Sequence, residues 1–84
     1  MTRVTLLTTS DCHLCAHARR VLARVAVDHP LQVDEVRLDS TEGQVIATRI
    51  GMLFAPGILL DGEPFGFGRL SEPKLRKTLA RRRP

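Results

Sequence analysis

The 84-residue chain contains no tryptophan and no tyrosine, and its three phenylalanines all fall within residues 54–67. Without aromatic residues interleaved among basic ones, it has no platform for stacking nucleic-acid bases. Two cysteines are too few for the disulfide framework of a small secreted domain. Long apolar runs are also missing. Val4 to Leu7 is interrupted by Thr5, too short for the apolar region of a signal peptide, and no stretch approaches the ~20 residues of a membrane span. The expectation is a cytoplasmic protein that engages neither membrane nor nucleic acid. Its positive balance, 13 basic against 9 acidic residues, is concentrated at one place. Setting aside Arg81, Arg82 and Arg83 leaves 10 against 9, so the folded part is nearly neutral. Residues 81–84 read as a basic, frayed tail on a single domain spanning residues 1–84.

What the chain does have is its two cysteines three positions apart, in Cys12-His13-Leu14-Cys15. They stand where an apolar run ends and a helical pattern starts. A sulfur at a helix N-terminus faces unpaired backbone N–H groups and the positive end of the helix dipole, and both favour the reactive thiolate. Positions i and i+3 on one helical turn bring the sulfurs within reach of each other. A bridge across two intervening residues closes too small a loop to stabilise much, so the pair reads as chemical rather than structural.

Hydrophobic spacing supplies the rest. Val4 to Leu7 reads as a buried strand. Ser10 or Asp11 is placed to cap a helix carrying Leu14, Ala18, Val21, Leu22 and Val25 on one face and ending near Asp28, before Pro30. Leu31 to Leu38 is a strand with Val33, Val36 and Leu38 as its core residues. Asp39 has capping-box spacing for a short helix marked by Val45, Ile46 and Ile50. Gly57 to Leu60 is a third strand. Asp61-Gly62 is a two-residue hairpin signal, and Glu63 to Gly68 returns as an edge strand that tolerates Pro64. Ser71 caps a last helix, with Leu70 and Leu75 spaced as a hydrophobic staple.

This order, β-α-β-α-β-β-α, with Cys-x-x-Cys after the first strand and Pro56 before the third, resembles the thioredoxin fold in its glutaredoxin form. Val36-Arg37-Leu38-Asp39, Ala55-Pro56-Gly57, Leu60-Asp61-Gly62 and Gly66-Phe67-Gly68 also fit, and Cys12-His13-Leu14-Cys15 is similar to short bacterial glutaredoxin-like proteins with leucine before the second cysteine. The resemblance implies an α/β fold with a four-stranded mixed sheet. It implies a thiol–disulfide oxidoreductase in which Cys12 is the nucleophile and Cys15 resolves, cycling through a Cys12–Cys15 disulfide. It also implies a cis Ala55-Pro56 bond at the substrate edge. Phe54, Ala55, Pro56, Gly68 and Ser71 are then the substrate-binding candidates. The chain departs from the family at His13-Leu14, where Pro-Tyr is usual, and at Gly68 to Ser71, where Gly-Gly and an acid that holds glutathione are usual.

His13 and Asp11 are the candidates for tuning the thiols, His13 as a nearby cation and Asp11 as a cap or an opposing charge. His17 reads as a surface residue, and Phe65 and Phe67 as core or edge packing. No metal site is assigned, because two histidines around so short a helix start strain tetrahedral geometry. The expected partner of this monomer is a disulfide-bearing protein or glutathione, the latter as co-substrate rather than bound cofactor. The upstream reductant stays open. Two rival readings are a copper- or zinc-binding metallochaperone-like module and a non-enzymatic redox-sensing binding module.

Overall fold

The computed structural model describes residues 1–82. In chain order the elements are β1 (Thr2–Thr8), α1 (His13–Val25), β2 (Leu31–Arg37), α2 (Thr41–Ile50), β3 (Gly57–Leu60), β4 (Glu63–Phe67) and α3 (Glu72–Arg81). The four strands form one mixed sheet in the order β2-β1-β3-β4. β1 runs parallel to β2 and antiparallel to β3, and β3 is antiparallel to β4. This is the α/β arrangement that the sequence implies. Among the described residues no helix is long and apolar enough to cross a membrane.

Strand alternation divides the core. Val4 and Leu6 of β1 join Ile58 and Leu60 on one face, and α1 and α3 cover them with Ala18, Val21, Leu22, Val25, Leu75 and Leu79. Leu7 and Leu59, on the alternate positions, are equally buried. Burying such side chains supplies about 1.5–3 kcal/mol each. Asp61 and Gly62 both have positive φ, 49° and 81°, which makes the β3–β4 connection the primed turn that matches strand twist. Ser71 is the N-cap of α3, its hydroxyl accepting from the Lys74 N–H, and Leu70 and Leu75 on either side of it are both buried.

Several local expectations are corrected. α1 ends at Val25 rather than near Asp28, and the following turn is closed by the His29 N–H donating to the Val25 carbonyl. Val33 is 42% exposed and Val36 and Leu38 are half-buried. β2 is an edge strand, paired on one side only, so it needs fewer apolar residues than a central one. The cap of α2 is Ser40, whose hydroxyl accepts from Gly43, while Asp39 pairs with Arg37. On α2 the buried residue is Gly43; Val45 is 63% exposed and Ile46 and Ile50 are half-buried. Of the tail expected to fray over residues 81–84, the first two residues are ordered. Arg81 closes α3, and the Arg82 guanidinium pairs with the Asp61 carboxylate at the hairpin turn. Residues 83 and 84 lie outside the described residues.

Candidate functional site

Both cysteines come from the junction between β1 and α1. Cys12 is the N-cap of α1 in extended conformation, and its Sγ accepts the Cys15 N–H at 3.1 Å. The cap expected from Ser10 or Asp11 is therefore supplied by the sulfur itself. Asp11 sits just outside the helix with φ of 51°, an exposed residue in left-handed conformation. Aspartate tolerates that backbone better than most residues because its short polar side chain adapts locally. Such a bend turns the chain sharply from strand into helix and leaves Cys12 to meet the first free N–H groups.

The two sulfurs differ in access. Cys12 is half-buried, whereas Cys15, one turn further on, is 0% exposed. They are joined as a disulfide with Cα atoms 5.2 Å apart, ordinary for such a bond. His13 is exposed at the first helical position. Among the described residues no three His, Cys, Asp or Glu side chains gather to hold a metal. In particular, His13 and His17 do not complete a set with the two sulfurs.

Sheet register brings the distant segment alongside. Leu7 pairs with Gly57 in the antiparallel β1–β3 ladder, so Pro56 lies level with Thr8 at the end of β1 from which the cysteine loop departs. The Ala55–Pro56 peptide bond is cis. The Pro56 carbonyl accepts the Gly68 N–H at 2.8 Å, joining the entry of β3 to the exit of β4. Gly68 has φ of 84°, and a Cβ there would stand 2.7 Å from the Phe54 ring. The absent side chain thus lets Phe54 lie over the backbone at this point.

Phe54, 58% exposed, meets Phe67, 37% exposed, edge to face with centroids 5.1 Å apart. Leu53 beside them is 77% exposed. Phe54, Ala55, Pro56 and Gly68 are therefore brought together at this end of the sheet. Ser71 follows Arg69 and Leu70 and lines a cleft with Phe65 and Phe67, and its hydroxyl is engaged as the cap of α3.

Three features escape a reading of the sequence. Phe67 reads there as packing, and yet it shares the exposed aromatic pair. A register shift between Ile58 and Leu59 separates it from Phe65, which packs on the core. Gly66 between the two is the available signal, since glycine within a strand often marks a bulge.

Arg37 donates to Ser10 Oγ at 3.0 Å and to Asp39 at 3.0 Å, tethering the loop before Cys12 to the end of β2. That ion pair holds the Asp39 carboxyl below the usual carboxylate range. On the α1 side, Glu35 accepts from Arg19 and from Thr8 Oγ1, and the Arg19 hydrogen bond is the main cause of its lowered pKa.

His17 departs from the surface reading. It is half-buried, and its Nδ1 atom is buried without a hydrogen-bond partner. Burial lowers its pKa from the ordinary 6.5, with further lowering from Arg69, Arg20 and Arg24. It lines a cavity of about 310 Å³ between α1 and the start of α3, together with Val21, Arg24 and Arg69.

Comparison with known proteins agrees with this geometry. A search of curated proteins finds no match. Among solved structures, a mutant thioredoxin from Halobacterium salinarum is 21% identical, with a TM-score of 0.72 over 95% of this chain and 73% of that one. A thioredoxin-like protein from Clostridium perfringens is 16% identical, with a TM-score of 0.76 over 96% and 70%. Oxidised mitochondrial thioredoxin 3 from Saccharomyces cerevisiae is 19% identical, with a TM-score of 0.70 over 95% and 77%. These likenesses show the fold. The model of the glutaredoxin-like domain (DUF836) matches residues 3–80, and with nearly the whole sequence covered, the chain belongs to that glutaredoxin-like family.

Proposed function

We propose that the chain is a thiol–disulfide oxidoreductase that reduces disulfides in proteins or mixed disulfides with glutathione. The observation that carries this reading is the asymmetry of the pair: an accessible sulfur capping a helix, and a buried one a turn later. In the reduced protein the Cys12 thiolate attacks one sulfur of the substrate disulfide, forming a mixed disulfide and expelling the other sulfur as a thiolate, which takes up a proton. Cys15, giving up its own proton, then attacks Cys12 Sγ and expels the second substrate sulfur. The substrate gains two electrons and two protons, and the Cys12–Cys15 disulfide forms. A thiol reductant returns the pair to its starting state, which suits a reducing compartment such as the cytoplasm.

Phe54, Ala55, Pro56 and Gly68 form the docking rim in this reading, and the Ala55 backbone before Pro56 pairs with an extended substrate. His13 and Asp11 flank the nucleophile and tune its charge. Ser71 contributes through the placement of α3 rather than through its engaged hydroxyl. The protein acts as a monomer.

The test is trapping. A Cys15→Ser variant incubated with oxidised insulin accumulates a mixed disulfide through Cys12, and Cys12→Ser yields none. Faster alkylation of Cys15 than of Cys12 in the reduced protein reverses the roles. Stoichiometric copper or zinc retained by the reduced protein, with no insulin reduction, replaces the reading with metal carriage.

A further inference from the structure

The margin of the sheet beyond the disulfide carries a second arrangement. β4 is the last strand in the order, so among the described residues one of its edges has no neighbouring strand. Between β4 and the start of α3 lies a cleft of about 160 Å³ lined by Phe65, Gly66, Phe67, Arg69, Ser71 and Lys74, with Ile58 and Leu70 at its base. That volume is below the ~300–1,000 Å³ of small-molecule pockets and suits one side chain rather than a metabolite.

Its charge is one-sided. Arg69 and Lys74 line the cleft with no acidic residue among its walls, and neither has an ion-pair partner among the described residues. The neighbouring arginines Arg24 and Arg76, by contrast, are both paired with Glu72. Lys74 instead lies 5.5 Å from the centroid of the Phe65 ring, which holds its ammonium over the cleft. The exposed acid of β4, Glu63, is at the opposite end of the strand and does not line it.

We propose that this margin is a docking surface for an extended, acidic segment of a partner polypeptide. The segment adds to the free edge of β4 through backbone hydrogen bonds. An acidic side chain projecting from it enters the cleft, where Arg69 and Lys74 meet the carboxylate and Phe65 and Phe67 its methylene groups. An extended chain presents a side chain to the same face at every second residue, which matches a single-side-chain cleft beside a strand edge. The interaction requires no thiol, so it stands or falls independently of the redox reading.

Titration of the full, oxidised protein with two eight-residue peptides, one alternating valine with glutamate and one alternating valine with lysine, tests it by amide NMR shifts. The expected result is saturable shifts at Phe65, Gly66, Phe67 and Arg69 with the glutamate peptide only, weakening as salt is added. The paired reversal Arg69→Glu with Lys74→Glu lowers that affinity by about tenfold or more and favours the lysine peptide. Arg69→Gln with Lys74→Gln keeps the fold intact with less perturbation and weakens binding to a smaller degree. Equal binding of both peptides, absence of saturable shifts, or shifts confined to the Cys12 rim overturn the proposal. So does inorganic phosphate that saturates the same amides at least as tightly, because the cleft is then an anion site without polypeptide recognition.

Discussion

The double role of Cys12, helix cap and redox sulfur, leads to a quantitative expectation for its acidity. Replacing Cys15 by alanine leaves one thiol, and it preserves the residue 15 N–H that Cys12 Sγ accepts at 3.1 Å. Alanine is preferred to serine here because a hydroxyl would donate a new hydrogen bond to the thiolate. A hydrogen bond to a charged acceptor contributes about 1.5–3 kcal/mol, and a negative charge at an exposed helix N-terminus about 0.3–1 kcal/mol. Together they favour the thiolate by about 2–4 kcal/mol. The neighbouring carboxylate of Asp11 opposes this by up to about 1 kcal/mol, the energy of two charges a few ångströms apart in water. The remainder of roughly 1–3 kcal/mol favours the thiolate and so lowers the Cys12 pKa from the ordinary cysteine value. Thiolate absorbance followed against pH in Cys15→Ala is therefore expected to give a midpoint below that of an unperturbed cysteine. Adding Asp11→Asn lowers it further by removing the neighbouring negative charge. A midpoint at or above about 8.5 in the single-thiol protein refutes the capping argument, since the N–H contact then gives the thiolate no advantage.

Two further outcomes follow from the packing. At Gly43 a Cβ would stand 2.1 Å from the Arg37 carbonyl oxygen, a backbone atom that cannot swing aside. Gly43→Ala is therefore expected to destabilise the fold by about 3 kcal/mol, the upper end for overpacking, as read by urea unfolding; a loss below about 1 kcal/mol means that α2 lifts freely from β2. Asp61 has its pKa lowered from the ordinary 3.8, first by the Arg3 N–H and then by Arg82. A depressed carboxylate contributes stability above its unfolded-state value and loses it as pH falls through the folded-state value. The wild-type advantage over Asp61→Asn in thermal midpoint is thus expected to hold from neutral pH down to about 4 and then to close. A pH-independent difference shows that the carboxylate charge plays no part.

The sequence is legible where local chemistry alone decides the structure. Ser71 with Leu70 and Leu75, and Asp61-Gly62, specify a cap and a turn without help from the rest of the chain, and both form. The cysteine pair and Pro56 are legible through resemblance, and the β1–β3 register brings them to one end of the sheet. Features that depend on long-range placement are not. Nothing in Val33 announces that β2 is an edge strand. Hydroxyl and carboxyl groups are the usual caps, so Asp11 suggests itself in that role and the sulfur of Cys12 does not. The hydrogen bond from Arg37 to Ser10 spans 27 residues, and no spacing rule reaches that far. His17 has the spacing of a surface residue, and it faces the segment from Arg69 to Pro73, which lies 52 or more positions away.

The register shift between Ile58 and Leu59 has a wider consequence. In a regular strand, residues two apart share a face, so Phe65 and Phe67 would have to serve the interior together or the rim together. The single extra residue releases that coupling. Phe65 is constrained by the leucines and isoleucine around it, while Phe67 turns to Phe54 and meets Phe65 only at the cleft that both line. Position 67 is thereby free to diversify in aromatic, aliphatic or polar character without repacking the interior. One irregularity in the ladder gives this small domain a place where preference for a partner can drift while the fold stays fixed.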